Sequence, residues 1–261
     1  MSKNILYSTA GGVATITLDR PQVMNALDAQ MIARLREACE QAARDSNARV
    51  VLLRGAGPAF LAGGDVAFFH ANLARAPEMV IELAGELHRA ILALRRAMKP
   101  VVASVHGAVA GAGMSLMAAS DFVIAAADTR FSMAYSRIGA SPDGGSTFFL
   151  PRLIGYQRAM ELLLLSDTAD AETLRGLGLV NRVVPAPQLE TETQVIVARF
   201  AAGPTCAFGE TKALANRAWV GALEAQLEAE AQAFARCAKT RDFAEGVTAF
   251  VEKRPPRFRG E

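Results

Sequence analysis

Val101-Val102-Ala103-Ser104-Val105-His106-Gly107-Ala108-Val109-Ala110-Gly111-Ala112-Gly113 runs from a short apolar stretch straight into a glycine-rich turn. Bounded by Pro100 and the glycines, Val101 to Val105 reads as a buried strand, and Ala112 to Ala119 reads as the helix after the turn. A further buried strand, Phe122 to Ala126, follows. The same rhythm extends upstream. Arg49 to Leu53 is a short apolar run ending in the turn cluster Gly55-Ala56-Gly57-Pro58, and Glu78 to Met98 carries Val80, Leu83, Leu87, Ile91, Leu94 and Met98 at helical spacing. Val13 to Leu18 alternates as a strand does, and Asp28 reads as the N-cap of a helix reaching about Ala43, with Met31, Ile32, Leu35 and Ala38 on one face. Strand, turn, helix and strand in repetition argue an α/β fold whose turns deliver backbone groups to one edge of a sheet. From Leu189 onward the chain is alanine-rich and helical, with a break at Gly203-Pro204, one helix over Glu210 to Ala238 and another over Arg241 to Glu252. We therefore expect an α/β core over 1–199 and a helical region over 200–261.

Composition narrows the function classes. With 261 residues, 51% hydrophobic and 21% charged, the chain can bury a sizeable core and is not a disordered one. Its 28 basic and 26 acidic residues leave a net charge of +2, which implies no field for nucleic acid or a membrane surface. Aromatics at 7% among scattered basic residues do not form the stripe an RNA-binding protein needs. Cys39, Cys206 and Cys237 are odd in number and without a C-x-x-C, so neither a disulfide framework nor a zinc site is expected. No apolar stretch is long enough for a bilayer, and Met1 to Tyr7 lacks a signal-peptide core, so the expected location is cytoplasmic.

Three segments can carry chemistry. Gly111 and Gly113 open a helix, where free N–H groups point outward and small residues let a ligand approach the backbone. They are not a nucleotide fingerprint, because Leu116 occupies the third glycine position. Phe60-Leu61-Ala62-Gly63-Gly64-Asp65 is a second glycine-rich segment at a strand-to-helix transition. Two such segments can offer N–H donors to one developing oxyanion, a contribution of about 3 kcal/mol per donor. Asp65 reads as the cap of the helix that follows. Asp143, in Ser141-Pro142-Asp143-Gly144-Gly145-Ser146, is either the cap of the next helix or a lone carboxylate able to move a proton at the same spot. A serine-hydrolase reading of Ser115 lacks partners, since His70, His88 and His106 fall in a loop, a helix and a structural turn position.

Taken in order, Arg20-Pro21, Asn25-Ala26-Leu27, Ala62-Gly63-Gly64-Asp65, His106 to Gly113, Asp121, Pro142-Asp143-Gly144-Gly145, Leu150-Pro151-Arg152 and Gly178-Leu179-Val180 resemble the crotonase (enoyl-CoA hydratase/isomerase) family over nearly the whole chain. The resemblance implies a crotonase-like spiral of β-β-α units with a C-terminal helical trimerisation region, and assembly as a homotrimer or hexamer. It implies acyl-CoA thioester substrates and neither a metal nor a redox cofactor, coenzyme A being part of the substrate. By position the oxyanion donors would be the amides of Gly64 and Ala112. The CoA would run along Ala62, Gly64, Asp65, Val66 and Ala67, although Ala67 stands where many relatives have lysine. Phe250 and Lys253 resemble residues that reach the CoA of a neighbouring subunit, with a solvated helix end as the competing reading of Lys253.

The departures from the family pattern bear on the reaction. Hydratases of this family use two glutamates, and here Ser115 and Tyr135 stand at those positions. Neither replaces a carboxylate at neutral pH. Asp143 lies eight positions beyond Tyr135 (143 − 135), where aspartate-dependent isomerases such as 1,2-epoxyphenylacetyl-CoA isomerase keep their catalytic residue. The expected activity is a double-bond shift with Asp143 as base; 2-enoyl-CoA hydration is the alternative, and a non-catalytic acyl-CoA or RNA-binding role a third. Phe68, Phe69, Met114 and Tyr135 are expected to line the acyl pocket, and the stretch from His70 to Pro77 to shape it as a loop.

Overall fold

A computed structural model describes residues 4–261. Met1 to Lys3, part of the N-terminal stretch read above, lie outside the described residues. The chain begins with an antiparallel hairpin, β1 (Ile5–Ala10) and β2 (Val13–Leu18), followed by α1 (Ala29–Arg44) and β3 (Val50–Gly55). Then come α2 (Val66–Ala71), α3 (Ala76–Arg96), β4 (Val101–Val105), β5 (Ala108–Ala110), α4 (Ala112–Ala118), β6 (Phe122–Ala126) and β7 (Arg130–Ser132). The remainder is α5 (Ser146–Ile154), α6 (Tyr156–Leu165), β8 (Ala169–Asp170), α7 (Ala171–Leu177), β9 (Arg182–Val184), α8 (Leu189–Ala201), α9 (Thr205–Ala218), α10 (Leu223–Cys237) and α11 (Arg241–Val251).

The main sheet has the order β1-β2-β3-β4-β6-β9, parallel from β2 onward, and a small sheet β5-β7-β8 lies beside it. Helices cover both faces of the main sheet, which is why its central strands read as unbroken apolar runs. Val51 and Leu53 of β3 face the larger core, with Leu35 of α1 and Leu87 of α3, while Val50 and Leu52 join Ile196 and Val197 of α8. Asp28 caps α1 by accepting from Met31 N at 2.8 Å, as expected. No helix among the described residues is long and apolar enough to cross a membrane.

Two expectations need correction. The stretch from His70 to Pro77 is not an open loop: α2 continues into a 3-10 turn, Leu73–Arg75, and then directly into α3. Pro77 sits in the first turn of α3, where its missing N–H leaves no bond unmade. The single helix read over Glu210 to Ala238 is two, α9 and α10, with Trp219 to Ala222 between them. Gly221 weakens the helix there. The turn folds α10 back on α9, and Arg236 reaches both carboxylate oxygens of Glu210 at 2.7 Å.

Candidate active site

The two glycine-rich segments lie side by side. Phe60 N donates to His106 O at 2.9 Å, Leu61 N to Ala108 O at 3.2 Å, and Ala110 N to Leu61 O at 2.9 Å, a parallel bridge between Leu61 and Val109. Asn25, fully buried, supports the first segment from beneath. Its Nδ2 donates to the carbonyls of Ala56, Ala59 and Phe60, and its Oδ1 accepts from Arg20 N. Leu27 pairs with Gly64, its amide donating to Gly63 O and its carbonyl accepting from Asp65 N. Among the described residues, neither the Gly64 amide nor the Ala112 amide donates to an acceptor.

Asp65 is the helix cap the sequence suggested, accepting from Phe68 N at 3.1 Å while Arg20 Nη1 donates to its other oxygen at 2.7 Å. Burial works to raise its pKa, but Arg20 and the amides of Phe68 and Ala67 outweigh it and hold the carboxyl below its ordinary value. Val66 and Ala67 are exposed at the start of α2, beside half-buried Ala62 and Gly64.

Asp143 arrives from the other side, on the loop before α5. Its carboxylate does not cap that helix, whose N-cap is Gly145 without a side-chain bond. Its carbonyl accepts instead from Ser115 Oγ at 3.0 Å and Ser146 Oγ at 3.1 Å, which fastens the loop to α4. A methyl added to Gly144, whose φ is +60°, would meet Ser115 Cβ at 2.7 Å, so a small residue at each position lets loop and helix touch. Gly144 N donates to His88 Nε2 on α3 at 3.3 Å.

Tyr135, expected to line a pocket, is a hydrogen-bond donor. Its hydroxyl lies 2.6 Å from Asp143 Oδ1. Its ring is near the glycines as well, 3.9 Å from where a Cβ on Gly111 would sit, and that same point is 3.5 Å from Gly63 Cα. Burial raises the phenol's pKa well above its ordinary value and the Asp143 carboxylate adds to the rise, so at neutral pH Tyr135 stays protonated.

The structure thus sets the segment from Ala62 to Asp65 against Gly111, next to Ala112, and Tyr135 links that junction to Asp143. Phe250, 85% exposed, stands at the C-terminal end of α11 and Lys253 just after it, and no hydrogen bond, ion pair or ring contact among the described residues joins either side chain to this spot. Ser115 is buried and committed to the Asp143 carbonyl, with no histidine on its hydroxyl. Met114 is core, and Phe69 packs on Gly64. An apolar cavity of about 550 Å³ abuts Gly144 and Gly145, walled by Ile91, Phe148, Phe149, Trp219 and His88. Sequence reasoning missed this wall. Ile91 was visible only as a helix-face residue, and the lone Trp219 was the one signal that could have drawn attention to it.

Comparison with known proteins fits this geometry. A model of the family described as enoyl-CoA hydratase/isomerase matches residues 8–261. The chain belongs to the enoyl-CoA hydratase/isomerase family. It is 40% identical over 98% of both chains to a Rhodobacter capsulatus protein named "probable enoyl-CoA hydratase". It is 36% identical over the full length of both to the 1,2-epoxyphenylacetyl-CoA isomerase of Escherichia coli. The crystal structure of an enoyl-CoA hydratase from Polaromonas sp. JS666 superposes with a TM-score of 0.92 at 37% identity, covering 98% of this chain and 99% of that one. The crotonase-like α/β fold is therefore shown, and the family acts on acyl-CoA thioesters.

Proposed function

We propose that this family member is an acyl-CoA isomerase that converts 3-enoyl-CoA to 2-enoyl-CoA thioesters, with Asp143 as the base. The Asp143 carboxylate takes a proton from C2, and the electron pair passes through C1 to make the thioester oxygen an oxyanion. The Gly64 and Ala112 amides donate to that oxygen, which in a dry site contributes about 3 kcal/mol per donor to the developing charge. The resulting dienolate takes the proton back at C4, leaving the double bond between C2 and C3 and the carboxylate regenerated. The cavity walled by Ile91, Phe148, Phe149 and Trp219 suits the far end of an acyl group. The reading needs no metal or redox cofactor.

One observation carries it: at the two positions where hydratases of the family hold glutamates, Ser115 and Tyr135 are both hydrogen-bonded to Asp143. A protonated phenol and a buried serine supply no base to activate water, whereas Asp143 remains as the carboxylate beside the glycine loops. Asp143→Asn should lower turnover of a 3-enoyl-CoA, followed by the ultraviolet absorbance of the conjugated product, on the order of 100- to 10,000-fold. Undiminished turnover would sink the proposal. The name of the Rhodobacter capsulatus relative favours 2-enoyl-CoA hydration as a second reading; β-hydroxyacyl-CoA formation faster than isomerisation would select it.

We read the C-terminal helices as the surface on which copies of the chain associate into a trimer or hexamer. Exposed Leu223, Phe234, Phe250 and Val251 support this, and so does the absence, among the described residues, of any hydrogen bond, ion pair or ring contact from the Phe250 or Lys253 side chain to the site of their own chain.

A further inference from the structure

Asp143 has one side-chain partner on its carboxylate. Tyr135 donates to Oδ1 at 2.6 Å, and no group among the described residues donates to Oδ2. The two serines that hold this residue, Ser115 and Ser146, both bind its carbonyl and leave the carboxylate free to turn about its own bonds. The phenol's own backbone is held: Tyr135 N donates to Met133 O at 2.8 Å and Ala140 N to Tyr135 O at 3.1 Å, so Tyr135 is anchored at the start of a 3-10 turn, Tyr135–Ile138. A protonated donor on one oxygen keeps the plane of the carboxylate set, because a short hydrogen bond to a charged oxygen is directional.

We propose that Tyr135 is a positioning residue which pins Asp143 through Oδ1 and leaves Oδ2 as the oxygen that carries the proton from C2 to C4. The inference rests on Asp143 being the base. It gives a function to the residue standing where a hydratase keeps a glutamate: the position no longer supplies a carboxylate and instead orients the one that remains. A base that must collect a proton at one carbon and deliver it two carbons away depends on a fixed approach, and misplacement by a fraction of a bond length is costly in rate.

The test is a double-mutant cycle on a 3-enoyl-CoA substrate with Tyr135→Phe, Asp143→Asn and the pair together. Tyr135→Phe keeps the ring and should lower kcat on the order of 10- to 100-fold with KM changed less than about threefold. With substrate deuterated at C2, less label should reappear at C4 in that variant than in the wild type. In the Asp143→Asn background the same change should leave the residual rate within about twofold, since nothing remains to be positioned. Equal losses in the two backgrounds, or a Tyr135→Phe enzyme with wild-type kcat and label transfer, would overturn the positioning role while an inactive Asp143→Asn left the base standing. An active Asp143→Asn would remove the base itself, and this inference with it.

Discussion

Ser115 shows how much one small side chain decides. It is fully buried, its Cβ approaches the Gly144 backbone, and its hydroxyl holds the Asp143 carbonyl at 3.0 Å. Ser115→Glu, which would put back the hydratase family's residue, has no room for the longer chain and would bury a charge without a partner. We expect a stability loss of about 1–3 kcal/mol from overpacking alone, a displaced Asp143 loop, loss of isomerisation and no gain of hydration. Thermal denaturation and product analysis check this, and a stable hydratase would refute it. Gly113 is constrained in the same way, since a methyl there would lie 2.3 Å from Leu61 O and push the two glycine segments apart.

At the scale of elements, α11 and the segment after it form a clasp made of carboxylates and backbone amides. Asp242 accepts from Arg259 N at 2.6 Å and Gly260 N at 2.7 Å, and Glu245 accepts from Arg257 N at 2.8 Å and from both terminal nitrogens of Arg254. Arg254 and the Arg257 amide hold Glu245 down to about 2 from an ordinary 4.5. A carboxyl whose folded pKa is depressed stabilises above its unfolded value and loses that contribution as pH falls through its folded value. The Glu245 half of the clasp should therefore be fully held above pH 4.5 and released as pH falls toward 2. Hydrogen exchange at the Arg257 amide, which donates to Glu245, reads this directly, and protection unchanged across that window would contradict it. These pairs are solvent-accessible, so added salt should weaken them as well.

At the scale of the whole molecule, the apolar residues left on the C-terminal helices, Phe250 at 85% exposed and Val251 at 74%, are what the proposed trimer or hexamer would cover. Sedimentation equilibrium should give a mass of three or six chains, and Phe250→Asp should lower it; a fully active monomer would contradict the assembly. Periodicity made the alternation of central strands and helices legible, since a sheet covered on both faces needs continuous apolar runs and its helices need one apolar stripe. It failed at His70 to Pro77 and at Trp219 to Ala222, where a helix-starting proline and a four-residue turn through Gly221 carry no periodic signal of their own. The glycines, Asp143 and the absence of both glutamates were legible too, because each is a matter of which residue occupies a position. By itself, then, the sequence determined the fold class, the family and the inventory of groups the chemistry can draw on. Only the tertiary structure decided what those groups do to one another: that Ser115 and Tyr135 both serve Asp143, that Asp143 is not a helix cap, and that Trp219 comes to wall a cavity beside Gly144. Those outcomes are set by how helices and loops pack, whether the partners stand eight residues apart, as Tyr135 and Asp143 do, or further, and no periodic pattern encodes them.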